Sequence, residues 1–401
     1  MPYNLDSATP GSELAARIHR FQAHLQRLGV DGALILQNSD LFYFADTVQQ
    51  CHLYIPAEGE ALLMAHRHAE RARHESGIEE VASIASPREV PHLLRERGCF
   101  PRARLGLELD VLPAVRYLAL CRLFEATEIV DVSHAIRLTR MVKSPYEMAR
   151  TGRAARLADE LAARVPGLLR EGMTEIELAG RLEAEARRMG HQGIVRMRLW
   201  GSEIFYGHLM AGPAAAVPSY LSSPTGGMGP GRAVAQGAGF RPIGRHEPIL
   251  VDYAFGYQGY LADHTRIYSL GELPEDLLQA HAAMLDLHDS LKREAVPGQT
   301  AGQLYERAFS LAAEAGYSEN FMGVSGARVA FVGHGVGIEL DEYPFLARGQ
   351  DTVLEENMVV ALEPKLVFPG RGVVGIENTH VVTAEGLKQL TCSTEKVVVA
   401  D

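Results

Sequence analysis

The sequence predicts an α/β domain followed by an α+β domain made of two related halves. Three observations carry this. Short apolar runs alternate with amphipathic runs through the first third of the chain, and one helix-opening pattern recurs at a constant offset in the remainder. In addition, two strand-like apolar stretches each hold carboxylates that a buried strand does not carry without partners. At 401 residues the length allows two or three domains. With 47% hydrophobic and 22% charged residues the composition is that of an ordinary globular protein. A formal net charge of −11 opposes binding to nucleic acid or to an anionic membrane. The N-terminus shows no signal-peptide pattern, and no run reaches the ~20 apolar residues of a membrane span. Cys51, Cys99, Cys121 and Cys392 have no CxxC spacing. They read as reduced thiols, which places the protein in the cytoplasm.

In chain order, Leu14, Ile18, Phe21, Leu25 and Leu28 mark one helix face, and Gly29 closes that helix. Short strands are expected at 31–37, 51–55, 60–65 and 105–109, with helices at 87–97 and 113–124. The boundary is expected near 139, giving domains 1–139 and 140–401. Just beyond it, Ser144-Pro145-Tyr146-Glu147 is a capping box with proline at the first helical position. Thr174 to Glu177 and Thr300 to Gln303 open further helices by the same device. Gly172, Thr174, Leu178, Arg181, Ala186 and Gly190 match Gly298, Thr300, Leu304, Arg307, Ala312 and Gly316 at an offset of 126, which indicates an internal duplication. The Gly- and Pro-rich stretch 222–247 reads as a long irregular connection without a phosphate-loop GK[ST].

The chemistry lies in the two strand pairs. Taking Gly256 to Gly259 as a four-residue hairpin loop makes Phe255 face Tyr260, so Asp252 faces Asp263 on one side of the sheet. Two carboxylates about 4.5–5.5 Å apart at their Cβ atoms need a proton or a cation between them. In the second pair, Val367 facing Val373 sets Glu363 opposite Glu377. The imidazole is best sought at His334, between Gly333 and Gly335, where small neighbours leave it room. Four carboxylates and one imidazole bring about four negative charges, which two divalent cations would balance with a bridging hydroxide as nucleophile. Oxygen-rich ligation favours Mn²⁺, with Co²⁺, Fe²⁺ and Zn²⁺ as alternatives.

Asp252, Asp263 with Thr265-Arg266, Gly333-His334-Gly335-Val336-Gly337, Glu363-Pro364 and Glu377 resemble the ligand set of the pita-bread metallopeptidases: aminopeptidase P, prolidase, creatinase and methionine aminopeptidase. The stretches Leu28 to Ile35, Leu41 to Phe44 and Met141 to Glu147 are similar to the creatinase-type N-terminal domain and to the entry into the catalytic domain of that family. The resemblance implies a creatinase-type N-terminal α/β domain, a pseudo-twofold pita-bread α+β catalytic domain, and a homodimer. It also implies that Asp252 chelates one metal, that Asp263 and Glu377 bridge, and that His334 and Glu363 hold the other, with Glu363 as general base.

Two outer histidines usual in such hydrolases are replaced here by Ser219 and Asp341. Serine supplies no imidazole, and aspartate reverses the charge offered to an oxyanion. Asp341 therefore has two readings, one as a side chain bonding local backbone and one as a contact for a cationic substrate group. His208 reads either as a loop histidine or as a stand-in for a lost one. His264 and His380, an odd number of residues from the acids on their strands, are expected on the opposite face, and Arg266 and Glu342 are expected to orient neighbours. The leading expectation is an Xaa-Pro aminopeptidase or dipeptidase. The alternatives are a metal-dependent hydrolase of a small non-peptide amide or amidine, of the creatinase or ectoine hydrolase kind, and a non-catalytic binding relative.

Overall fold

The computed structural model describes residues 8–204, 206–324 and 326–400. They fall into two compact units, Met1–Arg140 and Met141–Asp401.

In the first unit a helix Gly11–Leu28 buries Leu14, Ile18, Phe21 and Leu25. Gly29 ends it in the left-handed region (φ 63°), where the Gly29 and Val30 N–H groups bond back to Gln26 and Leu25. The sheet runs Glu80–Ser83, Leu62–Ala65, Cys51–Pro56, Gly32–Ile35, Arg104–Leu107, Glu128–Asp131. Its middle three strands pair antiparallel and its outer joins are parallel. Leu34, Tyr54, Leu62, Leu105 and Leu107 meet Val90, Leu94 and Leu120 of the covering helices. The helix at 87–97 opens as a 3₁₀ turn, Pro87–Glu89, before Val90–Glu96. One helix lacks a periodic signature: Asn38–Ala45 is capped by the Gln37 side chain and buried on nearly every side, so its apolar run has no amphipathic period.

The second unit opens with the helix Pro145–Ala162, whose capping box is complete: Glu147 N–H donates to Ser144 Oγ, and Ser144 N–H donates to Glu147 Oε2. The helices Glu175–Arg188 and Ala301–Glu314, matched by the offset of 126, carry equivalent threonine caps, Thr174 and Thr300. The first is preceded by Pro145–Ala162 and the second by Glu275–Glu294, so each half contributes a helix pair. Inside lie a four-stranded sheet, a five-stranded sheet and a two-stranded ribbon. The four-stranded sheet orders Val398–Ala400, Tyr260–Leu270, Ile249–Tyr257, Gly207–Ala211. One face of it, with Leu209, Val251, Tyr253 and Phe255, packs on Leu157, Leu161, Leu178 and Leu182. Each such aliphatic contributes roughly 1.5–3 kcal/mol on burial. Alternation then turns Asp252, Ala254 and Asp263 to the other face, toward the five-stranded sheet.

The aspartate hairpin departs from expectation. Its loop has two residues, Gln258 (φ 49°) and Gly259 (φ 88°), and Tyr257 pairs with Tyr260. Both positive φ angles are those of a I′ turn, the form that matches strand twist. Gln258 is held there by Arg150, and the Gly259 N–H donates to Gln192 Oε1 at 3.0 Å. Gly256 therefore belongs to the strand. The register shifts accordingly: Asp252 faces Thr265, Asp263 faces Ala254, and the two aspartates are diagonal neighbours instead of opposed ones. The ribbon Lys365–Phe368/Gly372–Gly375 has the expected register, with Val367 facing Val373. Leu362 facing Asn378 continues that register in the five-stranded sheet, on the far side of Glu363 and Glu377.

Candidate metal centre

Asp252, Asp263, His334, Glu363 and Glu377 line one small cavity of about 80 Å³, together with His208, Asp341 and the segment 221–224. Each is carried by a backbone that its neighbours pin. Thr379 Oγ1 donates to the Asp263 carbonyl and accepts from the Asp263 N–H, both at 2.8 Å, locking the aspartate hairpin to the strand after Glu377. Thr265, in the position facing Asp252, donates its hydroxyl to Glu377 Oε2 at 2.8 Å. Buried Arg266 donates to the Glu377 carbonyl at 2.9 Å and to Asn378 Oδ1 at 2.8 Å, fixing the turn that presents Glu377. Glu342 orients neighbours too. It pairs with Lys143 at 2.8 Å and accepts from the Ile338 and Glu339 N–H groups.

His334 sits mid-strand between Phe345 and Ala361. The glycines on either side answer to close strand approach, not to room for the ring. A Cβ on Gly333 would lie 2.3 Å from the Ala361 carbonyl oxygen, and one on Gly335 2.2 Å from that of Tyr343. Nδ1 lies 3.0 Å from the Leu340 carbonyl and 3.1 Å from that of Gly335, so Nδ1 carries a proton and Nε2 is the ring atom that faces the acids. Nε2 stands 3.7 Å from Glu363, 3.9 Å from Asp263 and 4.0 Å from Glu377, too far for hydrogen bonds. Ligand atoms of Asp263, His334 and Glu377 all lie within 4.8 Å of one another. Three donors at bond lengths of about 2.0–2.2 Å can surround one divalent ion in that gap, so these residues fit a metal.

At the other end of the cluster stands a residue that the motif reading passed over. Lys365 Nζ donates to Glu363 Oε2 at 2.8 Å and to Asp252 Oδ2 and Glu377 Oε2 at 2.9 Å each. Its side chain is 1% exposed. The signal was there: two residues beyond Glu363 on an extended segment, Lys365 faces the same way.

The electrostatics follow these positions. Burial raises the Asp263 carboxyl well above its usual range, and the charges of Glu377 and Asp252 add to that. Burial also lifts Glu377 to about 8, with Lys365 opposing and Glu363 and Asp252 reinforcing. Asp252 is buried too, but Lys365 and His208 outweigh that penalty and hold it below its usual value. For His334 burial disfavours the charged form, while Asp341, Glu363 and Asp263 prevail and raise it. For Lys365 burial is overcome by Asp252, Glu363 and Glu377.

His208 faces Asp252 across the strand pair, with Nδ1 3.4 Å from Thr225 Oγ1. Its buried Nε2 has no partner among the described residues. Asp341 also reaches the cavity, with Oδ1 3.8 Å from His334 Nδ1. Ser219 is not among the residues lining it, and its hydroxyl accepts from the Leu221 N–H at 3.0 Å. His264 and His380 point away: His264 reaches the Tyr253 carbonyl and His380 packs on His288.

A strand-built acidic cluster with one imidazole, at the meeting of two related halves, defines a pita-bread metallohydrolase, and the chain belongs to metallopeptidase family M24. The model of that family matches residues 149–384, and that of the creatinase/prolidase N-terminal domain matches 17–142. The chain is 31% identical over 295 residues to a probable dipeptidase PepE of Mycobacterium tuberculosis, covering 72% of this chain and 69% of that one. It is 26% identical to an Xaa-Pro dipeptidase of Pyrococcus horikoshii, covering 95% and 98%. Among solved structures, an Xaa-Pro dipeptidase from Bacillus anthracis superposes with a TM-score of 0.82 at 25% identity, over 96% of this chain and 99% of that one. Metallopeptidases of this family use divalent metals, generally two.

Proposed function

We propose that the chain is a dipeptidase acting on Xaa-Pro substrates, with Asp252, Asp263, His334, Glu363 and Glu377 lining its metal centre and Mn²⁺ its preferred ion. The observation that carries this is the gap bounded by Asp263, Glu377 and Nε2 of His334. The oxygen-rich set favours Mn²⁺, and the relatives' Xaa-Pro specificity supplies the substrate class.

A divalent ion held by these residues would supply Lewis acidity toward an amide carbonyl and would lower the pKa of a water. Glu363, with Oε1 toward His334 and Oε2 on Lys365, is placed to take a proton from the attacking water and pass it to the leaving nitrogen. Thr265, Thr379 and Arg266 hold the acids in position. Asp341, at the cavity wall, is placed to receive a substrate's positive group, such as a free amino terminus. The unpaired cysteines agree with a cytoplasmic setting, and a homodimer completes the proposal.

The test is hydrolysis of Xaa-Pro dipeptides and longer Xaa-Pro peptides by protein loaded with Mn²⁺ or Co²⁺. Cleavage of dipeptides first supports the reading, and no cleavage of any sinks it. A second reading, hydrolysis of a small cationic amide or amidine, rests on Asp341 reaching the cavity where the family pattern has histidine. Turnover of such compounds without peptide cleavage would select it.

A further inference from the structure

We propose that the Lys365 ammonium permanently occupies the place of one of the two family cations, so that this chain works with a single divalent ion held by Asp263, His334, Glu363 and Glu377. The inference rests on the metal-dependent reading above and specifies its stoichiometry.

An ammonium has three N–H donors and no acceptor. Here each donor meets a different carboxylate, at 2.8, 2.9 and 2.9 Å. A metal bridging the same three oxygens would need bonds of about 2.0–2.2 Å, and its centre would fall on or beside Nζ. Nitrogen and ion cannot share that space. Nor can the lysine easily withdraw. Its backbone pairs with Gly375, its carbonyl accepts from the Met322 N–H at 2.9 Å, and a Cβ at Gly375 would lie 2.7 Å from Lys365 Cα. The ribbon is thus closed tightly over the residue, whose side chain is buried.

The carboxylates divide accordingly. Asp252 engages the ammonium through Oδ2. Glu363 and Glu377 each give Oε2 to the ammonium and turn Oε1 toward His334. Asp263 makes no bond to Lys365 and faces His334. One end of the cluster therefore carries its cation in the sequence, and the other receives one from solution. Lys365 is a positioning residue in this account, because it aims Glu363 and Glu377 at the single ion.

The test counts ions and needs no substrate. Chelator-stripped full-length protein is saturated with Mn²⁺, dialysed and analysed by elemental mass spectrometry and by electron paramagnetic resonance. The expected result is one Mn²⁺ per chain with the six-line spectrum of an isolated ion. Lys365→Gly, which vacates the place, should take up two ions with an exchange-coupled spectrum. Asp252→Asn should still hold one, because that carboxylate engages Lys365 and Thr265 and stands away from the His334 end, whereas Asp263→Asn should lower the Mn²⁺ affinity at least ~100-fold. Two ions in the wild-type chain, or a folded Lys365→Gly that stays at one, would overturn the proposal. If Lys365→Gly does not fold, the wild-type count and spectrum decide alone. No ion at saturation would overturn the metal-dependent reading as well, and two ions would overturn only this one.

Discussion

The two ends of the acidic cluster share Glu363 and Glu377 and are closed by different bases. At one end His334 Nε2 stands 3.7–4.0 Å from three acids and bonds to none of them. At the other, Lys365 Nζ is in full contact with three acids at 2.8–2.9 Å. A fixed imidazole leaves a gap that a solute cation can fill, whereas a fixed ammonium leaves none. The difference shows in the acids. Asp252, on the lysine, is held below its usual pKa, and Asp263, which has no such partner, is pushed well above it.

The comparison breaks most visibly at His334. His334→Ala removes the proposed nitrogen ligand, and second-sphere losses alone cost metal sites 10–100-fold. The expectation is therefore a fall in Mn²⁺ affinity of at least ~100-fold with activity falling in parallel, read by metal titration and by kcat/KM. Retention of full metal content would refute the assignment of the gap. Glu363→Gln sharpens the contrast, because it keeps an oxygen near both bases but removes the proton acceptor. It should lower kcat by about 10²–10⁴ while the protein still binds metal, the range for loss of a positioned general base. A change confined to KM would show that Glu363 handles no proton.

Much of this was legible before any coordinates. The capping boxes at Ser144 and Thr300 state where helices begin, because their side-chain bonds are local. The register of the ribbon between Glu363 and Glu377 was readable for a similar reason, since its turn leaves Phe368 facing Gly372 and Val367 facing Val373. The aspartate hairpin was not, because its turn places Gln258 at positive φ, which few sequences announce. That single turn shifted the pairing by two residues and put Thr265 where Asp263 was expected. Alternation survives a two-residue shift, so the face was right though the partner was wrong. Lys365 was missed because a ligand motif directs attention to ligands. The helix Asn38–Ala45 left no periodic trace because it is enclosed.

The acids also predict how the open end responds to pH. Glu377 titrates near 8 in the metal-free fold, against about 4.3 for an unperturbed glutamate. Between those values the folded chain binds a proton that the unfolded chain has released. Metal-free stability should therefore decline as pH rises from about 4.3 to 8, with the raised Asp263 contributing in the same direction. Metal affinity moves the other way, because the ion must displace that proton. It should climb toward pH 8 by about tenfold per pH unit for each proton the ion displaces. Thermal melts of stripped protein and Mn²⁺ titrations from pH 6 to 9 test both slopes. Affinity that does not vary with pH would mean Glu377 is ionised before the ion arrives.

The smallest effect belongs to Asp341, which lies on the Nδ1 side of His334 and outside the carboxylate gap. Its Oδ1 is 3.8 Å from Nδ1, too long for a hydrogen bond, so the tautomer is set by the Leu340 and Gly335 carbonyls and survives without it. Asp341→Ala should therefore leave metal content unchanged. What it removes is a negative charge at the cavity wall, and a charge-assisted contact to a substrate cation is worth about 1.5–3 kcal/mol. KM for substrates with a free amino terminus should rise at least ~10-fold with kcat nearly constant, while an N-acylated analogue should be indifferent to the substitution. Equal loss on both substrates would assign Asp341 to the support of the His334 loop, and equal kinetics throughout would leave it no part in recognition.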